Sequence, residues 1–140
     1  MIFKNEAQLK NFLLQKCESA IANVQKDVYK TFDEKLNRFY DEFYPDMYER
    51  TGMLNSSLTA TEPINSGDSV DADVWFDAGC MDYNTGTWSG EEVLNVAMEH
   101  SYPHGAYASG TAIWTSGMNE LGDIKQKTVE ALKAKGVPVK

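Results

Sequence analysis

The chain has 140 residues and a formal net charge of -8, and 42% of its residues are hydrophobic. This length fits a single domain, and the hydrophobic content argues against an intrinsically disordered protein. No apolar run approaches the ~20 residues of a membrane span, and the first residues lack the apolar centre of a signal peptide, so we expect a protein without a membrane partner that is made and retained in a cytoplasm.

Charge is distributed unevenly along the chain. Residues 51–100 contain nine Asp or Glu and no Lys or Arg, whereas residues 1–50 and 101–140 have net charges of -1 and +2. No Lys or Arg occurs from Thr51 to Ile124. A surface built from this acidic middle region repels phosphate groups, so we expect no sequence-specific binding of nucleic acid.

The first predicted element is a long amphipathic helix over about residues 5–44. Apolar or mostly apolar residues recur there at steps of three or four, and no Gly or Pro interrupts the pattern. The stripe consists of Leu9, Leu13, Cys17, Ala20, Val24, Val28, Phe32, Leu36, Phe39 and Phe43. Its mean step of ~3.8 residues exceeds the helical repeat of about 3.6, so the stripe turns around the helix axis.

A single flat partner cannot cover such a stripe. We expect the C-terminal half of the helix to pack on the sheet of its own domain and the N-terminal half to pack on a neighbouring subunit, which favours an oligomer. The alternative is a helix that breaks near Lys26–Asp27 and folds back as a hairpin, although no turn residue occurs there.

The remaining elements predict an α+β fold in one domain over residues 1–140, with a small antiparallel sheet of three or four strands and two further helices. Sheet and short helix occupy about residues 52–115. Residues 53–62 and 70–78 have the pattern of two strands of a hairpin, joined by a turn over 63–68. In the second strand apolar residues alternate with Asp71, Asp73, Trp75 and Asp77, which indicates one buried and one acidic face.

Three shorter elements follow the hairpin. A capped helix is predicted over residues 91–99 and a third strand over 111–115. The C-terminal helix is predicted over about residues 118–135, with Gly136 and Pro138 ending it.

No group of residues indicates catalysis, a cofactor or a metal ion. His100 and His104 are four residues apart, but a proline between them prevents a shared regular helix. The five aspartates within residues 68–82 lack the glycine and the terminal glutamate of a calcium loop. Cys17 and Cys80 are expected to be free thiols. We therefore expect a protein that is not an enzyme.

The junction between the long helix and the sheet carries a recognisable motif. Tyr44-Pro45 stops the helix, and Gly52 permits a turn before Leu54 and Leu58 start the next element. A long N-terminal helix, an aromatic-Pro-x-x-Tyr-x-Arg-Thr-Gly-x-Leu-x-x-Ser run over Tyr44–Leu58, and a short sheet resemble the neck or head–tail connector (tail completion) proteins of long-tailed bacteriophages.

The resemblance implies a structural virion protein that forms a ring and joins the phage head to the tail. Its partners are then other copies of the chain and the adjacent connector proteins. From the charge distribution we further expect the acidic region to line the lumen of such a ring, where it would keep passing DNA from adhering. The residues implied at the junction and in neighbour contacts are Tyr48, Arg50, Thr51, Gly52 and Leu54.

The sequence leaves the roles of Arg50 and of the aromatic loop open. Arg50 either pairs with an acidic residue of a neighbouring subunit or pairs within its own domain, near Glu42 or Glu49. The aromatic loop with Met81, Tyr83 and Trp88 either docks on the next ring or covers the sheet. The alternative function is a small acidic binding module or inhibitor that engages a basic protein partner.

Overall fold

The computed structural model describes residues 2–41, 56–80, 91–92 and 113–139. It has the predicted α+β fold, with a long N-terminal helix, four short strands and two C-terminal helices. The chain divides into two compact units. Unit 1 comprises Met1–Asp27, Ala60–Asp73 and Asp123–Lys140, and unit 2 comprises Val28–Thr59 and Val74–Gly122.

Helix α1 spans Glu6–Asp41, a length of 36 residues. It begins after Asn5, whose side-chain Oδ1 accepts a hydrogen bond of 2.9 Å from the backbone N–H of Gln8. The Gln8 side chain in turn accepts from the backbone N–H of Lys4 at 2.8 Å, so two N–H groups without helical partners are satisfied. The helix is continuous through Lys26–Asp27, so the folded-back alternative is wrong.

The apolar stripe of α1 is buried mainly in its middle. Ala20 and Val24 are buried in unit 1, and Phe32 and Leu36 are buried in unit 2. Leu9, near the start of the stripe, is 40% exposed. The N-terminal half of the helix was expected to pack on a neighbouring subunit. Ala20 and Val24 are already buried within the chain, so the expectation is corrected for these two residues.

The predicted hairpin is present with four strands: β1 (Leu58–Ala60), β2 (Ile64–Asn65), β3 (Val70–Asp71) and β4 (Val74–Phe76). β1 pairs with β4 and β2 pairs with β3. The backbone N–H of Asp77 donates to the carbonyl of Ser57 at 2.8 Å. The inner pair is antiparallel with Ile64 opposite Asp71. The ladder is interrupted at Pro63, because proline has no N–H to donate.

The alternation predicted for residues 70–78 is confirmed. The apolar positions of this stretch are half-buried, whereas Asp71, Asp73, Trp75 and Asp77 are exposed. The predicted bounds of the first strand and of the turn were wrong. Ser56 is helical and Ser57 lies in a turn, so the strand begins at Leu58, and the chain reverses at Ser66–Ser69 rather than over 63–68.

The C-terminal region differs from its prediction. Helix α2 spans Ile113–Leu121, so the strand predicted over residues 111–115 is wrong for its described part. The helix buries Ile113, Gly117 and Leu121, which are four residues apart and therefore share one face. Tertiary burial of that face outweighs the β preference of Ile and Thr at the start.

The single long C-terminal helix of the prediction is in fact two helices. Gly122 has φ +68°, a left-handed conformation that ends α2. Asp123 then caps α3 (Ile124–Ala134) by accepting a hydrogen bond from the N–H of Gln126 at 3.2 Å. The predicted end is confirmed, because Gly136 has φ +80° and the N–H of Val137 donates to the carbonyl of Leu132 at 3.0 Å, as in a Schellman motif.

Of the short helix predicted over residues 91–99, the structure describes Glu91 and Glu92, and both are helical. Among the described residues, no helix has the length and apolarity to cross a lipid bilayer.

Candidate interaction surface

The residues predicted for the interface all lie outside the described part of the structure. They are Tyr48, Arg50, Thr51, Gly52, Leu54, Met81, Tyr83 and Trp88. The structure nevertheless defines the elements on both sides of the junction. α1 is described to Asp41 and β1 begins at Leu58, so the motif over Tyr44–Leu58 occupies the connection between helix and hairpin.

The acidic middle region contributes exposed carboxylates to both units. Every described acidic residue between residues 51 and 100 is exposed. Unit 1 has Glu62, Asp68, Asp71 and Asp73, and unit 2 has Asp77, Glu91 and Glu92. No Lys or Arg occurs in this stretch of sequence, so these exposed side chains place negative charge at the surface of both units.

The end of the hairpin in unit 1 forms an arm, which we define as residues 61–73. None of its residues is buried, and Ile64 is 58% exposed. Ile64 lies opposite Asp71, so both side chains project from the same face of the two-stranded ladder. The arm therefore combines an exposed aliphatic side chain with carboxylates, a feature that the predicted turn over residues 63–68 did not include.

Gln25 of α1 fixes the base of the arm. Its side-chain Nε2 donates to the carbonyl oxygen of Thr61 and, at 3.0 Å, to the carbonyl oxygen of Asp73. The Asp73 N–H then donates to the side-chain oxygen of Thr61 at 3.1 Å. One carboxamide thus satisfies two carbonyls beside the interruption at Pro63. In the sequence, the one indication of a role for Gln25 was its position directly after Val24 of the apolar stripe.

A second contact between α1 and the arm is an ion pair of Lys10 with Asp68. The hydrogen bond from Lys10 and its positive charge lower the pKa of the Asp68 carboxyl below its ordinary value. Both side chains are largely exposed, so solvent screens the pair and it orients the arm more than it stabilises the fold.

Helix α3 is the described element with a net positive charge. It contains Lys125, Lys127 and Lys133 against one acidic residue, Glu130. These lysines form no ion pair with any residue that the structure describes. None of the eleven residues of α3 is buried, although Leu132 and its apolar neighbours are half-buried. The helix therefore has apolar surface that its own chain covers incompletely.

Unit 2 is built around Phe32 of α1. Its ring packs edge-on against Phe76 of β4 with centroids 5.6 Å apart, and stacks on Trp114 of α2 at 5.4 Å. These contacts confirm that the C-terminal half of α1 packs on its own sheet. A Cβ at Gly117 would lie 2.6 Å from Cε1 of Phe32, so the absence of a side chain at Gly117 makes room for the ring.

An ion pair lies at the edge of the same unit. Lys35 Nζ lies 2.6 Å from a carboxylate oxygen of Glu120, and the Lys35 side chain is only 15% exposed. The hydrogen bond from Lys35, its charge and the charge of Arg38 lower the pKa of Glu120. The pair joins α2 to α1 by a charged contact.

Over the ranges 2–41, 56–80, 91–92 and 113–139, no group of three or more His, Cys, Asp or Glu could hold a metal ion. A shallow groove of about 310 Å³ lies at the N-terminus, and its lining has no ionisable side chain. The lining residues are Ile2, Phe3, Gln8, Asn11, Phe12 and Gln15.

Comparison with known proteins gives no match: no family model, no curated protein and no solved structure is significantly similar to the chain.

Proposed function

We propose that the chain is a structural virion protein, a ring-forming subunit that joins the phage head to the tail at the connector. In this proposal the protein has no turnover and acts by complementarity of shape and charge. Its localisation is the head–tail junction, and its partners are further copies of itself and the adjacent connector proteins.

The observation that carries the proposal is the position of the motif over Tyr44–Leu58. The motif begins three residues after Asp41, the described end of a 36-residue helix, and ends at the first residue of an antiparallel hairpin. The connector family that the sequence resembles has the same order of long helix, motif and small sheet. The described elements therefore agree with the resemblance at both ends of the motif.

The exposed acidic residues support the same function. Asp77, Glu91 and Glu92 of unit 2 are all exposed and have no Lys or Arg within the same stretch of sequence. Side chains of this kind around a ring opening repel the phosphates of DNA and let the duplex pass without adhering. The prediction is wrong if Lys and Arg line the opening and the acidic residues face outward.

Immunogold electron microscopy tests this function. An antibody against the chain is applied to purified phage particles from the culture that encodes it, with pre-immune antibody as the control. Gold at the head–tail junction is the expected result. Intact particles without label, when the same antibody recognises the denatured chain from that culture, would overturn the connector function.

The motif itself is tested by Arg50→Ala, with Lys26→Ala on the exposed surface of α1 as the control for loss of one positive charge. We expect Arg50→Ala to lower the yield of infectious particles while the control retains it. Equal infectivity of the two variants rejects an interface role for Arg50.

The aromatic loop is tested by deleting residues 83–87. We expect the deletion to block the joining of heads to tails without unfolding the protein, and normal joining would count against docking by this loop.

The second candidate is a small acidic module that binds a basic protein. The exposure of all seven described carboxylates between residues 51 and 100 favours it. Such a module binds its partner in a complex of fixed stoichiometry, loses affinity with added salt, and forms no ring. Co-purification of one basic protein, together with the absence of gold on particles, is the result that selects this function.

A further inference from the structure

We infer that the subunits of the ring contact one another head-to-tail, with the acidic arm (residues 61–73) of one copy on helix α3 of the next. This inference rests on the proposed function, because it names the contact between subunits of the proposed ring. The arm and α3 are both parts of unit 1, so each copy carries both halves of the contact.

The first argument is incomplete burial. No residue of the arm and no residue of α3 is buried within the chain, in contrast to α1 and α2, which contain buried residues. Ile64 of the arm is 58% exposed, and the apolar residues of α3 are only half-buried. Apolar surface left in this state on two elements is typical of a surface that a partner covers.

Charge complementarity identifies the partner as a second copy. The arm carries Glu62, Asp71 and Asp73, which form no ion pair with the described residues. Among the described elements α3 alone has a net positive charge, whereas α1 has equal numbers of basic and acidic residues. The exposed Lys125 and Lys133 are therefore the counterpart that this chain itself offers to the arm.

A contact between two different surfaces of the same subunit has a consequence for assembly. Such a heterologous contact leaves one free arm and one free α3 after every addition, and closes into a ring when the rotation between copies permits. The carboxylates of the arm are then neutralised between subunits.

Charge reversal tests the contact. The arm variant is Glu62→Lys with Asp71→Lys and Asp73→Lys, which changes the net charge of the arm from -4 to +2. The helix variant is Lys125→Glu with Lys133→Glu, which changes the net charge of α3 from +2 to -2. The control for the helix variant, Lys26→Glu with Lys30→Glu, makes the same charge change on the exposed surface of α1 and also removes the surface ion pair of Lys30 with Glu34. Circular dichroism first establishes that all variants are folded. Sedimentation velocity at high protein concentration and about 0.1 M salt or less then measures association.

We expect the native chain and the control to associate, and each reversed variant alone to associate more weakly by about tenfold or more. An equimolar mixture of the two reversed variants should recover association, because the basic arm of one then meets the acidic α3 of the other. A native chain that stays monomeric, reversed variants that associate normally, or a mixture no better than its components would each overturn the contact.

The mixing experiment and the immunogold experiment test the arm–α3 contact and the connector function separately. Gold at the head–tail junction without recovery in the mixture leaves the connector function in place and rejects the arm–α3 contact. Recovery in the mixture without gold on particles supports the contact in an assembly that is not a phage connector. Association of the native arm with a basic protein, by a chain that is itself monomeric, replaces the second copy with that protein.

Discussion

Replacing Gly117 by Ala should destabilise the protein, although Ala is the better helix former. Gly117 lies in the middle of α2 with an ordinary helical conformation, so the backbone accepts Ala there and gains about 1 kcal/mol of helix propensity. The added Cβ, however, would lie 2.6 Å from Cε1 and 3.0 Å from Cδ1 and Cζ of Phe32. A real Cβ does not tolerate the shorter distance, so the ring or the helix must move.

The Phe32 ring has little room to move. It is 3% exposed and lies between Phe76 and Trp114, with centroid distances of 5.6 and 5.4 Å. Overpacking of a filled core costs about 1–3 kcal/mol, and a contact on the ring itself belongs at the upper end. Subtracting the propensity gain leaves a net loss of about 2 kcal/mol in the free energy of unfolding.

Urea denaturation followed by circular dichroism measures this loss in four proteins: the native chain, Gly117→Ala, Phe32→Leu and the double variant. With a slope of about 2 kcal/mol per molar urea, a loss of about 2 kcal/mol lowers the midpoint by about 1 M. In the Phe32→Leu background the contact is removed, so Gly117→Ala should raise stability by about 1 kcal/mol.

The sign change between the two backgrounds is the decisive result. If Gly117→Ala stabilises the native chain as much as it stabilises Phe32→Leu, the contact between Gly117 and the ring does not limit this position. Ser116→Ala, one residue earlier in α2, is the control for helix propensity and should stabilise by about 0.5 kcal/mol in both backgrounds.

Three further predictions concern unit 1. Gln25→Met removes two hydrogen bonds to carbonyls of the arm and should cost about 1–2 kcal/mol, with faster hydrogen exchange in the arm, whereas Lys26→Met on the exposed surface should leave exchange unchanged. Because Lys10 lowers the folded-state pKa of Asp68, this pair stabilises the fold above the unfolded-state pKa of about 3.8, and the stabilisation is lost as pH falls through the lower folded-state pKa. NMR titration should give a lowered pKa for Asp68 in the native chain and the ordinary value in Lys10→Met. The same pKa for Asp68 in both proteins would refute the pair. Gly136→Ala forces a side chain into a conformation with φ +80° and should lower stability by about 1 kcal/mol, which thermal denaturation measures and which an unaltered midpoint would contradict.

The sequence by itself determined the elements with strong local periodicity. The long helix follows from apolar steps of three and four without a Gly or Pro, and the structure has it from Glu6 to Asp41. The alternation over residues 70–78 likewise predicted which side chains of β3, β4 and the residues between them are exposed, including the carboxylates. Gly136 ended the last helix because left-handed geometry is open to glycine at little cost.

Long-range contacts decided the rest. The start of α2 has a strand-like sequence, and it is helical because Ile113, Gly117 and Leu121 bury one face while Trp114 stacks on Phe32, far away in sequence. Local propensity is worth tenths of a kcal/mol per residue, whereas burial of one large side chain is worth about 1.5–3 kcal/mol, so tertiary burial wins where the two conflict.

For the candidate surface too, the sequence determined some features and only the folded structure determined others. The excess of carboxylates could be counted in the sequence, and so could the lysines after Ile124. The partners of Gln25 and Lys10 could not be read from it, because they lie 36 to 58 residues away along the chain. Sequence periodicity specifies which side of an element faces inward, but only the folded chain brings together residues whose separation exceeds any local repeat.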